Sequence, residues 1–202
     1  MNKNDLKGVF PAIVTPFDDD EQLDESALRA VTEYVVDNGV HAIMTTGGTG
    51  EFPQLNREER RRVTQIVVES AEGRLPIIAG TAACSTREVI ELTEDAAEVG
   101  ASATITTPPF YFVVPDESLY QHFFELAKNS PIPVVVYNNP LYTGHNLTPS
   151  MIARLAEVEN IIGLKQSQDD LGQLVEVLRL AEDKISICTG IDSQFYAALC
   201  VG

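Results

Sequence analysis

Three stretches of this sequence carry residue types suited to chemistry. Lys165 closes the apolar run Ile161-Ile162-Gly163-Leu164. A lysine at the end of a buried strand is partly desolvated, which favours the neutral amine that attacks a carbonyl and forms a Schiff base. The same lysine could equally snorkel to solvent on its long stem. Tyr137 closes Val134-Val135-Val136 and is followed by Asn138-Asn139-Pro140. A phenol both donates and accepts, so above such a lysine it can move a proton to and from a substrate hydroxyl, although a core-edge tyrosine needs no such role. The third stretch is Gly47-Gly48-Thr49-Gly50-Glu51. Its glycines let the backbone approach a ligand closely, and the amides there and at the following helix suit an anion such as a carboxylate. It lacks the glycine spacing of a dinucleotide fingerprint and the Gly-Lys-Ser/Thr of a phosphate loop. A tight turn ahead of a helix is the alternative.

These stretches sit in a regular frame. Strand-like apolar runs recur at Val9 to Thr15, His41 to Thr46, Leu75 to Gly80, Ser102 to Thr107, Ile132 to Tyr137, Asn160 to Lys165 and Ile185 to Thr189. Their starts lie roughly 25 to 35 residues apart, the length of one strand-helix unit. Most are continuously apolar, as parallel strands covered on both faces are. Between them lie helix signals: Ser85 with Glu88 as a capping box, Asn56 with Glu59, Thr148 before Pro149, and Gly39, Gly73 and Gly100 at stops. Leu28, Val31 and Val35, and likewise Ile66, Val67 and Ser70, share helix faces.

An α/β chain of this kind is either a doubly wound sheet or a (β/α)8 TIM barrel. The glycine turn, Tyr111, Tyr137, Lys165 and Gly190 fall at or after the ends of five different strands. A barrel gathers all its strand ends around one mouth, whereas an open sheet concentrates its site at one switch point. We therefore expect a single TIM-barrel domain over residues 1–202. The 202 residues accommodate seven strand-helix units, against the ~250 residues of a complete barrel. The barrel is expected to be truncated, without its eighth unit.

Composition bounds the partners. With 14 Lys and Arg against 30 Asp and Glu, the formal charge is −16, which repels nucleic acid. About 44% of residues are apolar and none of the runs approaches a bilayer span. We expect a cytoplasmic protein with no membrane partner. Cys84, Cys188 and Cys200 have no metal or disulfide spacing and read as reduced, buried small hydrophobes. His41 reads as strand, His122 as helix surface and His145 as loop, none with metal-ligand spacing. Arg57, Arg60, Arg61 and Arg62 read as a solvated helix face balanced by Glu58 and Glu59.

Together the residues resemble the dihydrodipicolinate synthase and N-acetylneuraminate lyase family of class I, pyruvate-type aldolases. The resemblance is carried by Pro11-Ala12-Ile13-Val14-Thr15-Pro16-Phe17, Gly48-Thr49-Gly50-Glu51, Ala79-Gly80-Thr81, Thr107-Pro108-Pro109-Phe110-Tyr111, Tyr137-Asn138-Asn139-Pro140 with Thr143-Gly144, and Gly163-Leu164-Lys165. It implies a TIM barrel with a C-terminal helical extension beyond this stretch, and a homo-oligomer built as a dimer of dimers. It implies that Lys165 forms the imine with a 2-oxo acid such as pyruvate and that Tyr137 is the general acid/base. Thr49 would link Tyr137 to Tyr111 through a hydroxyl relay, with Tyr111 acting across the tight dimer interface. The Gly48 and Thr49 amides would hold the substrate carboxylate, and Gly47, Tyr142 and Gly190 would line the pocket. The imine is the only cofactor expected; no metal or nucleotide is. Two departures bear on the substrate: the dihydrodipicolinate synthases usually carry a second threonine where Gly48 stands, and an arginine where Tyr142 stands. These favour cleavage or dehydration of a 2-keto-3-deoxy sugar acid. The alternatives are 4-hydroxy-tetrahydrodipicolinate synthesis from pyruvate and aspartate semialdehyde, and an inactive truncated relative.

Overall fold

The computed structural model describes residues 1–202. Six strands form one sheet: β1 (Ile43–Thr45), β2 (Ile77–Gly80), β3 (Ala103–Thr106), β4 (Val134–Asn138), β5 (Ile161–Gln166) and β6 (Ser186–Thr189). Every pairing is parallel and the strands lie side by side in chain order, without a reversal. A doubly wound sheet requires a reversal of strand order, so this topology is an arc of a (β/α)-barrel. The helices α1 (Glu25–Asp37), α2 (Arg57–Ala71), α3 (Thr86–Glu98), α4 (Asp116–Asn129), the short α5 (Pro140–Thr143), α6 (Pro149–Leu155), α7 (Leu171–Ala181) and α8 (Phe195–Val201) intervene. Six ladder strands stand where seven were expected. The first run, Val9 to Thr15, makes only an isolated parallel bridge, Ala12 to Met44. Pro11 lies within that run and Pro16 directly follows it, and neither can donate to a ladder.

Strand alternation divides the apolar residues into layers. Val134, Val136 and Leu164 pack outward with Val89, Phe123, Ile152 and Val177 of the helices, and Ile43 and Ile77 pack with Leu28, Val63 and Ile66. Met44, Ile78, Ile105 and Val135 form an inner cluster with Leu6 of the N-terminal segment. Leu6 occupies space left by Gly163, where a Cβ would stand 2.6 Å from a Leu6 methyl carbon. The Ser186 hydroxyl donates to the Leu6 carbonyl at 2.7 Å, so the N-terminal segment is tied to β6. The caps follow the sequence: Asn56 and Glu59 form a reciprocal capping box, and Thr148 accepts the Met151 N–H. Ser85 accepts the Glu88 N–H without the reciprocal bond, and Gly100 leaves α3 at φ +95°. No helix is long and apolar enough to cross a membrane.

Several side chains depart from their sequence reading. Arg57, Arg61 and Arg62 pair with Asp95, Glu98 and Glu25 on neighbouring helices rather than with Glu58 and Glu59. Arg60 is buried; its guanidinium donates to the Gly80 and Ala82 carbonyls and lies against the Phe52 ring. Burial without a contacting carboxylate brings it down to about 10. Cys84 and Cys200 are exposed and Cys188 is half-buried, so none is a core cysteine. His41 lies just outside β1 and accepts the Val9 N–H through Nδ1.

His122, expected on the helix surface, is buried on α4 with Nδ1 bonded to the Thr86 hydroxyl at 2.9 Å and Nε2 unpartnered. A helix face reads as exposed only if nothing covers it, and here α3 does. Burial lowers its imidazole to about 4. Between that value and the ordinary value near 6.5 the unfolded chain holds a proton that the folded chain does not. Folding stability should therefore decline as pH falls through this window, by on the order of 3 kcal/mol for this group. Thermal or urea melts from pH 7 to pH 4 should show a shallower decline for His122→Gln than for the unaltered chain.

Candidate active site

The position of Lys165 depends on a slip in the ladder. Val134 pairs with Ile161, but Val135 pairs with Gly163, so β5 carries one extra residue at the start of its pairing with β4. Ile161 and Leu164 both pack on the helix side although they are three apart. Strict alternation from Ile161 would send Lys165 outward with it. The irregularity resets the period, as a bulge does, and turns Lys165 inward opposite Tyr137. The Lys165 Nζ stands 4.4 Å from the centre of the Tyr137 ring, a cation against the negative face of the aromatic system. Both side chains are half-buried.

Past this pair the two strands are clasped by buried amides. Asn138 donates to the Gln166 side chain at 3.0 Å and accepts the Leu147 N–H at 3.0 Å. Gln173 of α7 donates to the Leu147 carbonyl. The Tyr137 phenol oxygen has two partners: it accepts from the Asn139 side-chain amide at 2.9 Å and meets the Ser167 hydroxyl at 3.3 Å. Neither Asn139 nor Ser167 was singled out from sequence. Each lies two residues beyond a residue that was, one position past the end of its strand, and that spacing is the signal that points to them.

The glycine turn follows β1. The Glu51 and Phe52 N–H groups close it on the Gly48 and Gly47 carbonyls, whereas those of Gly48 and Thr49 bond to nothing in the chain and are free to hold an anion. Thr49 is exposed and makes no hydrogen bond to Tyr137 or Tyr111, so the expected relay is not assembled within one chain. Thr49 does line the same open cleft, of about 1060 Å³, as Lys165, Met44, Cys188 and Gly190. Burial raises the Cys188 thiol, with the neighbouring Lys165 charge opposing it. Tyr111 projects from the loop after β3, 85% exposed and at φ +82°, beside exposed Phe112 and Val113. A non-glycine residue held there stores roughly 1–3 kcal/mol of strain. Tyr142, on α5, is also exposed.

Gly190 follows β6 and is pinned by its N–H to the Gln166 carbonyl at 2.8 Å. A Cβ there would stand 2.2 Å from the Ser167 hydroxyl and 2.6 Å from the Lys165 Cε, whereas one at Gly47 or Gly48 would meet nothing within 4 Å. Gly190→Ala should lower stability by about 1–3 kcal/mol through overpacking. Gly48→Ala should leave the denaturation midpoint within experimental error, a contrast that parallel urea titrations read directly.

The model of the dihydrodipicolinate synthetase family matches residues 5–202. The 4-hydroxy-tetrahydrodipicolinate synthase of Syntrophus aciditrophicus is 42% identical over 187 residues, covering 93% of this chain and 64% of that protein. The synthase of the same name from Nitrosococcus oceani is 42% identical over 195 residues, covering 96% and 67%. The chain thus spans about two thirds of the length of these relatives. Among solved structures, the chloride-inhibited dihydrodipicolinate synthase of Acinetobacter baumannii in complex with pyruvate superposes with a TM-score of 0.95 at 35% identity, over 98% of this chain and 68% of that one. YagE, an Escherichia coli K12 prophage protein of the same family also in complex with pyruvate, gives 0.94 at 30% identity, over 98% and 67%. With the barrel topology and a lysine and tyrosine facing each other inside it, these matches establish that the chain belongs to the dihydrodipicolinate synthetase family.

Proposed function

We propose that the protein is a Schiff-base lyase that takes pyruvate, or a 2-oxo acid that yields it, onto Lys165. The observation that carries this reading is the inward Lys165 amine set against the Tyr137 ring beside an open cleft. The amine attacks the C2 ketone, and loss of water from the resulting carbinolamine leaves a protonated imine. That imine withdraws electrons from C3, so a bond there can form or break, or C3 can lose a proton, without a free carbanion. Tyr137 acts as the general acid/base, worth roughly 10²–10⁴-fold in rate. The free Gly48 and Thr49 amides hold the substrate carboxylate, and Gly47, Gly190 and Tyr142 border it. The reaction calls for no metal or nucleotide.

For the second substrate, two relatives at 42% identity named as 4-hydroxy-tetrahydrodipicolinate synthases support condensation with aspartate semialdehyde. Against this, Tyr142 offers no cation to a second carboxylate and the space beyond Gly48 is open, which favours cleavage or dehydration of a 2-keto-3-deoxy sugar acid. The exposed Tyr111, Phe112 and Val113 support a homo-oligomer in which a second copy covers this tip and brings Tyr111 to the site.

Borohydride reduction of the full-length protein with pyruvate should attach the ligand at Lys165, read by peptide mass spectrometry, and Lys165→Ala should abolish the adduct. Tyr137→Phe should keep the adduct while turnover falls at least a hundredfold. Assays with aspartate semialdehyde and with 2-keto-3-deoxy sugar acids then separate the two readings. An unmodified Lys165 would refute both.

A further inference from the structure

The Tyr137 phenol is held by two side chains to which the reading above gives no role. Asn139 is buried, with its side-chain nitrogen 2.9 Å from the phenol oxygen. Its backbone leaves little freedom: Pro140 follows it, and its carbonyl accepts the Thr143 hydroxyl at 2.9 Å and the Thr143 N–H at 3.1 Å. Ser167 approaches the same phenol oxygen at 3.3 Å from the neighbouring strand, with its own N–H bonded to the Asn138 carbonyl. The absence of a side chain at Gly190 leaves the Ser167 hydroxyl and the Lys165 stem side by side.

An amide nitrogen can only donate, whereas a hydroxyl can donate or accept. The Asn139 N–H therefore occupies one lone pair of the phenol oxygen, and the phenol's own proton must point elsewhere. The Ser167 hydroxyl donates to the same oxygen from the Lys165 side of the ring, so neither side chain takes up the phenol proton. We propose that Asn139 is a positioning residue: by donating to the phenol oxygen alongside Ser167, it leaves the Tyr137 proton free for the reacting carbon atoms over Lys165. The inference rests on Tyr137 being the general acid/base of a lysine imine.

The test uses a near-isosteric replacement that reverses the polarity of the contact. In Asn139→Asp the ionised carboxylate can only accept, so it draws the phenol proton away from Lys165; once protonated, it can donate again. Deuterium uptake at C3 of pyruvate, measured in the full-length protein from pH 8 to pH 4.5, reports proton transfer on the imine without a second substrate. The variant should exchange about tenfold or more slowly than the unaltered protein at pH 8, and the ratio should return toward one as pH falls, while the borohydride adduct forms undiminished in both. Asn139→Leu, which neither donates nor accepts, should remain slow at every pH. A ratio that stays near one throughout, or is lowered equally at every pH in Asn139→Asp, would overturn the inference while leaving the lysine chemistry standing. An unaltered protein that neither traps pyruvate nor exchanges its C3 protons would overturn the reading of the site and this inference together.

Discussion

The extra residue in β5 is the constraint on which the rest of the site depends. Side chains alternate across a strand with a period of two, so a strand that begins with Ile161 in the helix-side core cannot also point Lys165 inward unless its register slips by one. The slip places Gly163 and Lys165 on the inner face, and each placement is used. Gly163 leaves room for Leu6, which fills the inner cluster from the N-terminal segment, and Lys165 comes to stand over Tyr137. Removing the irregularity would exchange a lysine in the cleft for one forced against the helices, where an unpaired charge is costly.

The new register is held by polar contacts placed just beyond it. The Asn138 to Gln166 bond spans β4 and β5 at the step after Tyr137 and Lys165, and Asn138 and Gln173 both reach the Leu147 segment of the following loop. Buried amides of this kind specify geometry because a misaligned partner leaves a donor or acceptor unsatisfied. The surface charges do less. Arg57 with Asp95, Arg61 with Glu98 and Arg154 with Glu117 tie neighbouring helices together, but exposed pairs contribute little to stability.

The charge of −16 sets a second condition. The field of the whole molecule opposes any anion, so the proposed 2-oxo acid would depend on local groups: the unpartnered Gly48 and Thr49 amides and the Lys165 amine, with Lys3 and Lys7 also lining the cleft. Arg60 supplies no direct contact. Its guanidinium is spent on the Gly80 and Ala82 carbonyls, and Gly80 also accepts from Thr46 at the base of the glycine turn. A buried cation thereby braces the loop that carries the free amides.

Much of this was legible from residues alone. Continuous apolar runs at a spacing of one strand-helix unit indicated parallel strands, and the capping signals at Asn56 and Thr148 marked helix starts, because backbone satisfaction and periodicity act over a few residues. Lys165, Tyr137 and the glycine turn could be named for the same reason: each is an unusual residue type at the end of a run. Other features were decided by contacts between distant segments. His122 is buried because α3 lies over α4, and Arg60 because two carbonyls and a ring surround it. The sequence by itself determined which side chains could do chemistry and the order in which the strands carry them. The tertiary structure decided which face each one occupies and which groups hold the Tyr137 phenol, because both follow from pairing register, and register is fixed by partners some thirty residues away along the chain.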